Sequence, residues 1–370
     1  MNKQENLQNI LDDAVDNKKI FGTSFCIKHK NDFWCGSSGN LDNDSQFFIT
    51  SATKIFISAI ILNFKYHELL DLNDKISKFL SENTLKDLLV INGVDHSNQI
   101  TIRDLLAHTS GLPDYLHYRI GNEKTIFEQI REGIDRFWIY DTALEWSKTI
   151  KPNFSPGSAK GKAQYSDTNF QLLGRIIENI TNRSLSENYD NLIFKPSGLI
   201  KTYMYRDIND RKPKCFYNGD KELFIPKAMA SFGPDGGIVT SSNELLVFIE
   251  NFFNGAFFPR TWIEDLKVWN KIYLGGYYPS TLFEDIKVWK NTFSPVKVGT
   301  GIERFKMPWF LDLRQKFPEL YGYIGISGSL VFHSPEKELY IAGTVNQVAY
   351  PGKSFEVAIK LIKETLNTVK

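Results

Sequence analysis

Ser51 and Lys54 stand three residues apart in SATK, at the head of the apolar run IFISAIILNF. Residues at that spacing share one face of a helix, so the lysine Nζ can reach the serine Oγ. The first turn of a helix carries unpaired N–H groups and the positive end of the dipole. Both favour an oxyanion or a deprotonated nucleophile. The apolar neighbours disfavour the charged form of the lysine, which suits it to act as a base. The plainer alternative is a helix-capping serine with a lysine that snorkels to water. S-x-x-K recurs at Ser294–Lys297 and Ser334–Lys337, but both copies contain a proline and read as turns.

Two further clusters carry chemistry. QYSDTNFQLLG sets Tyr165, Asp167 and Asn169 at the start of an amphipathic helix. A tyrosine beside a cationic lysine ionises more readily and can shuttle a proton. ELYGYIGISGSLVFHS spaces Gly322, Gly325 and Gly328 along a strand. Glycines there permit close backbone approach, as a ligand lying along an edge strand requires, with one N–H offered to its carbonyl. A glycine-rich bulge is the alternative.

The elements that must position these residues follow from pattern. TSFCIKHKNDFWCGSS reads as a β-hairpin turning at Lys30–Asn31, and SQFFIT as a short strand. From Ser51 to about Pro196 the pattern is mainly helical. Strands return in GGIVT, YGYIGIS, GSLVFHS and KELYIAGTVNQ, and GKSFEVAIKLIKETLNTV closes as a helix. Strands at both ends predict an α/β lobe built from residues 1–50 and 200–370. A helical lobe, 51–199, is then inserted between them. AFFPRTWIEDLKVWNKIY (256–273) recurs twenty residues later as GYYPSTLFEDIKVWKNTF (276–293). Each copy has a T-x-x-E box after a proline and should open a short helix. The duplication is either surface decoration or a lid or oligomer contact using Trp262, Trp269 and Trp289.

Composition removes other classes. The 370 residues carry a formal net charge of +1, with no basic stripe for nucleic acid and no polybasic segment for a membrane surface. The longest apolar run is too short to cross a bilayer. The N-terminal stretch is amphipathic through Leu7, Ile10, Leu11, Ala14 and Val15 and lacks a signal-peptide core, so a cytoplasmic protein is expected; a trimmed leader would make it periplasmic or secreted. The three cysteines argue against a disulfide framework. Cys26 and Cys35 could face each other across the hairpin, but two free thiols are expected. The six histidines lack metal-ligand spacing, so neither metal nor cofactor is expected. No G-x-S-x-G elbow is present. His108, at a helix end before a Gly-Pro turn, reads as structural. Asp235 in GPDGG reads as a solvated turn residue.

Taken together, SATK, YSD and YIG resemble the serine β-lactamase and penicillin-binding-protein superfamily. The branch is that of class C β-lactamases, D-Ala-D-Ala carboxypeptidases and β-lactamase-like esterases, which shows S-x-x-K, Y-x-N and K/H-x-G in this order. LDLNDKISKFL, TIRDLLAHTSGLPDY, FSPG, FKPSGL and GPDGGIVTSSNELLVF agree, so the resemblance covers nearly the whole chain. It implies an α+β fold: an antiparallel sheet flanked by helices, plus an inserted helical lobe, with the active site between the two lobes. It implies Ser51 as the acylated nucleophile, Lys54 as its base and Tyr165 as the proton relay. The backbone N–H groups of Ser51 and Ile326 would form the oxyanion hole beside Gly325. Asp167 stands where asparagine is usual, and Tyr323 where lysine or histidine is usual. Tyrosine lacks a cation at neutral pH, and Ile324 lacks the hydroxyl found next to it, so carboxylate recognition is weakened.

The expected function is a serine hydrolase acting through an acyl-enzyme on a small-molecule ester, peptide or lactam, with esters or D-amino-acid-type amides favoured over β-lactams. Two alternatives remain: a catalytically silent ligand-binding protein with the same fold, and a D-Ala-D-Ala-type carboxypeptidase or β-lactamase.

Overall fold

The structure, a computed structural model, describes residues 2–119, 121, 123–158, 160–272, 295–307 and 317–367. Seven strands form one antiparallel sheet: β1 (Gly22–His29), β2 (Asp32–Gly39), β3 (Val296–Val298), β4 (Glu303–Phe305), β5 (Leu320–Gly325), β6 (Ser329–Ser334) and β7 (Leu339–Thr344). Their spatial order is β3-β4-β5-β6-β7-β1-β2, so the sheet joins both ends of the chain. The helices that matter for the site are α1 (Lys3–Asp12), α2 (Lys54–Tyr66), α3 (Asp167–Thr181), α4 (Ser242–Asn254) and α5 (Lys353–Asn367). The expected α+β architecture holds.

The central strands are buried at nearly every position because both faces of the sheet are covered. Phe25, Ile27, Phe332 and Ile341 point to the side of α1 and α5, where Leu7, Leu11, Leu361 and Ile362 meet them. The alternate residues Cys26, Val331 and Ala342 point to the other side, against Phe248, Ile249 and Phe252 of α4. That is the two-residue period of a strand, read between two apolar layers. Helix α2 is buried on every face from Lys54 to Leu62, as its apolar run, broken there by Ser58 alone, demands. Among the described residues no helix is long and apolar enough to cross a membrane.

The hairpin pairs His29 with Asp32 and leaves Lys30–Asn31 as its turn. The same register sets Cys26 opposite Cys35, with Cα atoms 4.1 Å apart, and the two are joined as a disulfide. This corrects the expectation of two free thiols: the odd count leaves Cys215 as the free cysteine. The SQFFIT strand is only Phe47–Phe48. It pairs with Ile238–Thr240 in a separate three-stranded sheet, not in the main one.

Strand β5 is not an edge strand, contrary to expectation. It pairs with β6 along its length and with β4 over Leu320–Gly322. Beyond that, the Glu303 carboxylate accepts the Ile324 N–H at 3.2 Å. The glycines serve packing. A Cβ on Gly325 would stand 2.1 Å from Ile49 O and 2.5 Å from Thr50 Oγ1, and Gly328 turns the hairpin at φ +76. Gly325 is therefore the position that lets the segment carrying Ser51 lie against the sheet.

In the first copy of the duplication a 3-10 turn at Arg260–Trp262 leads into a helix at Ile263–Leu266. Thr261 lies within that turn and caps nothing. Trp262 packs edge-on to Tyr66, and Trp269 stacks on Tyr321 at 5.6 Å. These two tryptophans are thus engaged within the chain; Trp289 and the whole of the second copy lie outside the described residues.

Two outcomes follow. Alkylation of the denatured protein should label one thiol without reductant and three after reduction, read by intact mass. Gly325→Ala should cost about 1–3 kcal/mol in thermal or denaturant unfolding, because either the Ile49–Thr50 backbone or the strand must move.

Candidate active site

Ser51 sits in a 3-10 turn, Thr50–Thr53, that runs directly into α2. Thr50 is left-handed, with φ +45, a conformation that costs a β-branched residue energy and needs external support. The β5–β6 hairpin supplies it. Ser327 N–H donates to Thr50 Oγ1 at 3.3 Å, Ser327 Oγ donates to Phe48 O at 2.9 Å, and Ser329 Oγ donates to Ile49 O at 2.8 Å.

Lys54 is fully buried, and its ammonium meets three acceptors. Nζ lies 3.3 Å from Ser51 Oγ, 2.6 Å from the Asp235 carbonyl oxygen and 2.6 Å from Asp167 Oδ1. Three donors are thereby matched to three oxygens, which is how a buried cation is tolerated. Asp167 is the first residue of α3, where the helix dipole also favours a negative charge. Burial pushes its carboxyl up from the usual range, Lys54 pulls it back, and nearby Asp114 pushes it up again.

Tyr165 lies beside the pair, its ring 5.1 Å from Lys54 Nζ and stacked on His108 with centroids 4.5 Å apart. His108 is buried, and its Nδ1 accepts the Ser166 N–H at 3.1 Å. The ring proton is therefore on Nε2, which donates to Tyr323 Oη at 3.3 Å. Tyr165 also lies close enough to Tyr323 to lower the pKa of its phenol slightly. Burial holds His108 well below the ordinary histidine value, so it stays neutral. Burial and the charges of Glu303 and Asp167 hold the Tyr323 phenol well above its own. The sequence reading put His108 away from the chemistry and Tyr323 against substrate. In the fold His108 contacts Tyr165, and Tyr323 stands behind the site, 1% exposed and outside the cavity wall.

A cavity open to solvent lies in front of these residues. Ser51, Tyr165, Asp167, Gly325 and Ile326 line its reactive end, and Phe127, Phe216, Met229, Phe232, Ile324 and Phe355 give it an apolar wall. Of the sequence-predicted residues, Ser51, Lys54, Tyr165 and Asp167 form one contact group. Gly325 and Ile326 border it at the end of β5.

Three acidic or basic neighbours escaped the sequence reading. Asp235 is 2% exposed rather than solvated. Its Oδ2 accepts from Tyr115 Oη at 2.8 Å and Gln171 Nε2 at 2.9 Å. Burial and the Asp167 charge push its carboxyl well above the usual range. Asp114 and His117 also reach the site, with His117 Nδ1 donating to Asp114 Oδ2 at 2.7 Å. Asp114 and His117 sit three apart in PDYLH, and no motif marks them.

A sequence model of the family described as Beta-lactamase matches residues 7–366. The chain belongs to the beta-lactamase family. The resemblance read from SATK, YSD and YIG therefore holds at family level. A Salmonella typhimurium protein with the provisional name D-alanyl-D-alanine carboxypeptidase is 30% identical over 161 residues, 43% of this chain and 34% of that relative. The match thus spans about a third of the relative's length. Among solved structures, the D-stereospecific amidohydrolase from Streptomyces sp. aligns with TM-score 0.74 and 22% identity over 99% of both chains. The D-amino acid amidase from Ochrobactrum anthropi SV3, complexed with L-phenylalanine amide, aligns with TM-score 0.77 and 18% identity over 100% of this chain and 99% of that one. At these identities the likeness establishes the beta-lactamase fold.

Asp235 offers a direct check of this electrostatic arrangement. A carboxyl whose folded value is raised stabilises the fold below its unfolded value, and that contribution is lost as pH rises through the folded one. Asp235→Asn, a neutral mimic that keeps an oxygen for Tyr115 and Gln171, should remove that pH dependence at a cost below about 1 kcal/mol. Asp235→Ala leaves both donors unpaired and should cost about 1–3 kcal/mol, read by denaturant unfolding across pH.

Proposed function

We propose that this beta-lactamase-family chain is a serine hydrolase that forms an acyl-enzyme on Ser51. Its substrates are esters or D-amino-acid-type amides with hydrophobic acyl groups, in preference to β-lactams. The observation that carries this reading is the contact group Ser51–Lys54–Asp167, with Tyr165 alongside, at the end of an apolar cavity. The names of the Streptomyces and Ochrobactrum enzymes support amides of D-amino acids as one substrate type.

Lys54 rests as an ammonium, so it must shed a proton before it can act as base. Asp167, 2.6 Å away and raised by burial, is the acceptor within reach. The resulting amine takes the Ser51 Oγ proton as Oγ bonds to the substrate carbonyl carbon. The backbone N–H groups of Ser51 and Ile326 serve the oxyanion. Tyr165 gives a proton to the leaving alcohol or amine as the scissile bond breaks, and is reprotonated from Lys54. Water then cleaves the ester to Ser51, the proton returning by the same path. Tyr323, buried and neutral behind Tyr165, offers no cation for a substrate carboxylate, which is why β-lactams and D-Ala-D-Ala peptides rank lower.

A second reading rests on the same ion pair. If Asp167 holds Lys54 permanently charged, the chain is a ligand-binding protein without turnover. As to location, the Cys26–Cys35 disulfide supports an oxidising compartment over the cytoplasm expected from the N-terminal sequence.

Exposure to a fluorophosphonate or an activated p-nitrophenyl ester should add one acyl or phosphonyl mass to the intact protein, and Ser51→Ala should abolish it. An unchanged adduct in Ser51→Ala would remove Ser51 from its role. Ligand-induced thermal stabilisation without any turnover would favour the silent reading.

A further inference from the structure

Lys54, Asp167 and Asp235 are each at most 2% exposed, so their charged atoms are nearly closed to water. Their neighbour His117 keeps 12% of its side-chain surface and lines the cavity together with Ser51, Tyr165 and Ile326. One of its ring nitrogens is engaged: Nδ1 donates to Asp114 Oδ2 at 2.7 Å. Asp114 is buried and is itself fixed by the Leu116 N–H, which its Oδ1 accepts at 3.0 Å. A proton held on Nδ1 leaves the lone pair on Nε2, on the far side of the ring from Asp114. Nε2 has no hydrogen-bond partner among the described residues and is not enclosed by protein, so it opens on the cavity.

We propose that His117, held by Asp114, is the general base that takes a proton from the water that cleaves the acyl-enzyme. The proposal rests on the acyl-enzyme reading above and concerns its second half alone. The water oxygen bonds to the carbonyl carbon of the Ser51 ester while its proton passes to Nε2. The tetrahedral intermediate then breaks its bond to Ser51 Oγ, which regains a proton from Lys54. The acid product leaves, the imidazolium gives its proton to solvent in the open cavity, and Lys54 takes one up. Each turnover thus consumes one water and returns His117, Lys54 and Ser51 to their starting states.

The surroundings of His117 suit this step. The imidazolium that forms lies 2.7 Å from Asp114 Oδ2 and 3.8 Å from Asp167 Oδ2, so both carboxylates stabilise its charge. A buried aspartate on Nδ1–H does the same in a Ser-His-Asp triad, where it also holds one tautomer. Acylation needs no second base, because Lys54 Nζ already lies 3.3 Å from Ser51 Oγ. Once Oγ is esterified, the attacking water arrives from the cavity, which His117 borders and from which Lys54 is buried. Burial lowers the His117 pKa, but the charge and hydrogen bond of Asp114 and the charge of Asp167 outweigh that and raise it, against the opposing charge of Lys54. The remaining neighbour, the Phe127 ring, is uncharged. Only the neutral imidazole accepts a proton, so deacylation quickens as pH rises and His117 loses its own.

The test follows hydrolysis of an activated p-nitrophenyl ester by stopped flow, in the native protein and in His117→Asn. The asparagine amide keeps an N–H for Asp114 but has no counterpart of Nε2. The p-nitrophenolate burst, which reports acylation and a folded site, should stay within about threefold of native. The steady-state rate should fall about 10²- to 10⁴-fold, with the acyl group still on Ser51 by intact mass. Burst and steady state falling together, or an unchanged steady-state rate, would overturn the proposal. In the native protein, decay of the acyl-enzyme should slow as pH falls through a midpoint above about 6.5, and Asp114→Asn, which removes a raising charge, should move that midpoint down. Should His117→Asn not fold, this profile decides: a decay rate flat from about pH 5 to about pH 9, or a midpoint unmoved in Asp114→Asn, would sink His117 while leaving the acyl-enzyme intact. No adduct on Ser51 in the native protein would remove both.

Discussion

A single ammonium in the protein interior sets the terms for the rest of the molecule. Lys54 is fully buried at the first turn of α2, where removing its charge from water costs several kcal/mol. The cost is met by oxygens from three separate stretches of chain: Ser51 one turn away, the backbone of Asp235 ahead of a central strand of the small sheet, and Asp167 at the head of α3. Because the ammonium has three protons in fixed directions, these stretches must converge within hydrogen-bond distance. The reactive group is thus assembled by the same contacts that make the burial tolerable.

A second constraint holds Ser51. The turn bearing Ser51 is strained at Thr50 and is pinned by Ser327 and Ser329 of the β5–β6 hairpin. Only a glycine at 325 leaves room for that approach. The hairpin is itself fixed by the apolar layers on both faces of the sheet. Packing of the sheet therefore reaches Ser51 through a few hydrogen bonds between Ser327 and Ser329 and the segment Phe48–Thr50. Behind Tyr165, neutral His108 and Tyr323 form a hydrogen-bonded backing that orients the phenol without adding charge. The polar end of the cavity is consequently acidic, balanced by Lys54 alone once His117 is neutral, while its walls are apolar.

Local pattern determined much of this. The strand-forming runs of β1, β6 and β7, the apolar run of α2, the hairpin turn at Lys30–Asn31 and the amphipathic pattern of α3 are properties of neighbouring residues, and they could be read without coordinates. So could the pairing of Ser51 with Lys54, since three-residue spacing on a helix brings them together wherever the helix goes. What only the tertiary structure decided depends on distance between segments far apart in sequence. The Cys26–Cys35 bond needed the strand register. Gly325 proved to be a packing requirement, visible only once Ile49 lies across it. Asp235 looked solvated in a Gly-Pro turn yet is enclosed by Tyr115 and Gln171. His117 and Asp114 gained a place beside Asp167 from no motif at all. Charge, burial and pKa are sums over neighbours in space, and a sequence orders its neighbours along only one dimension.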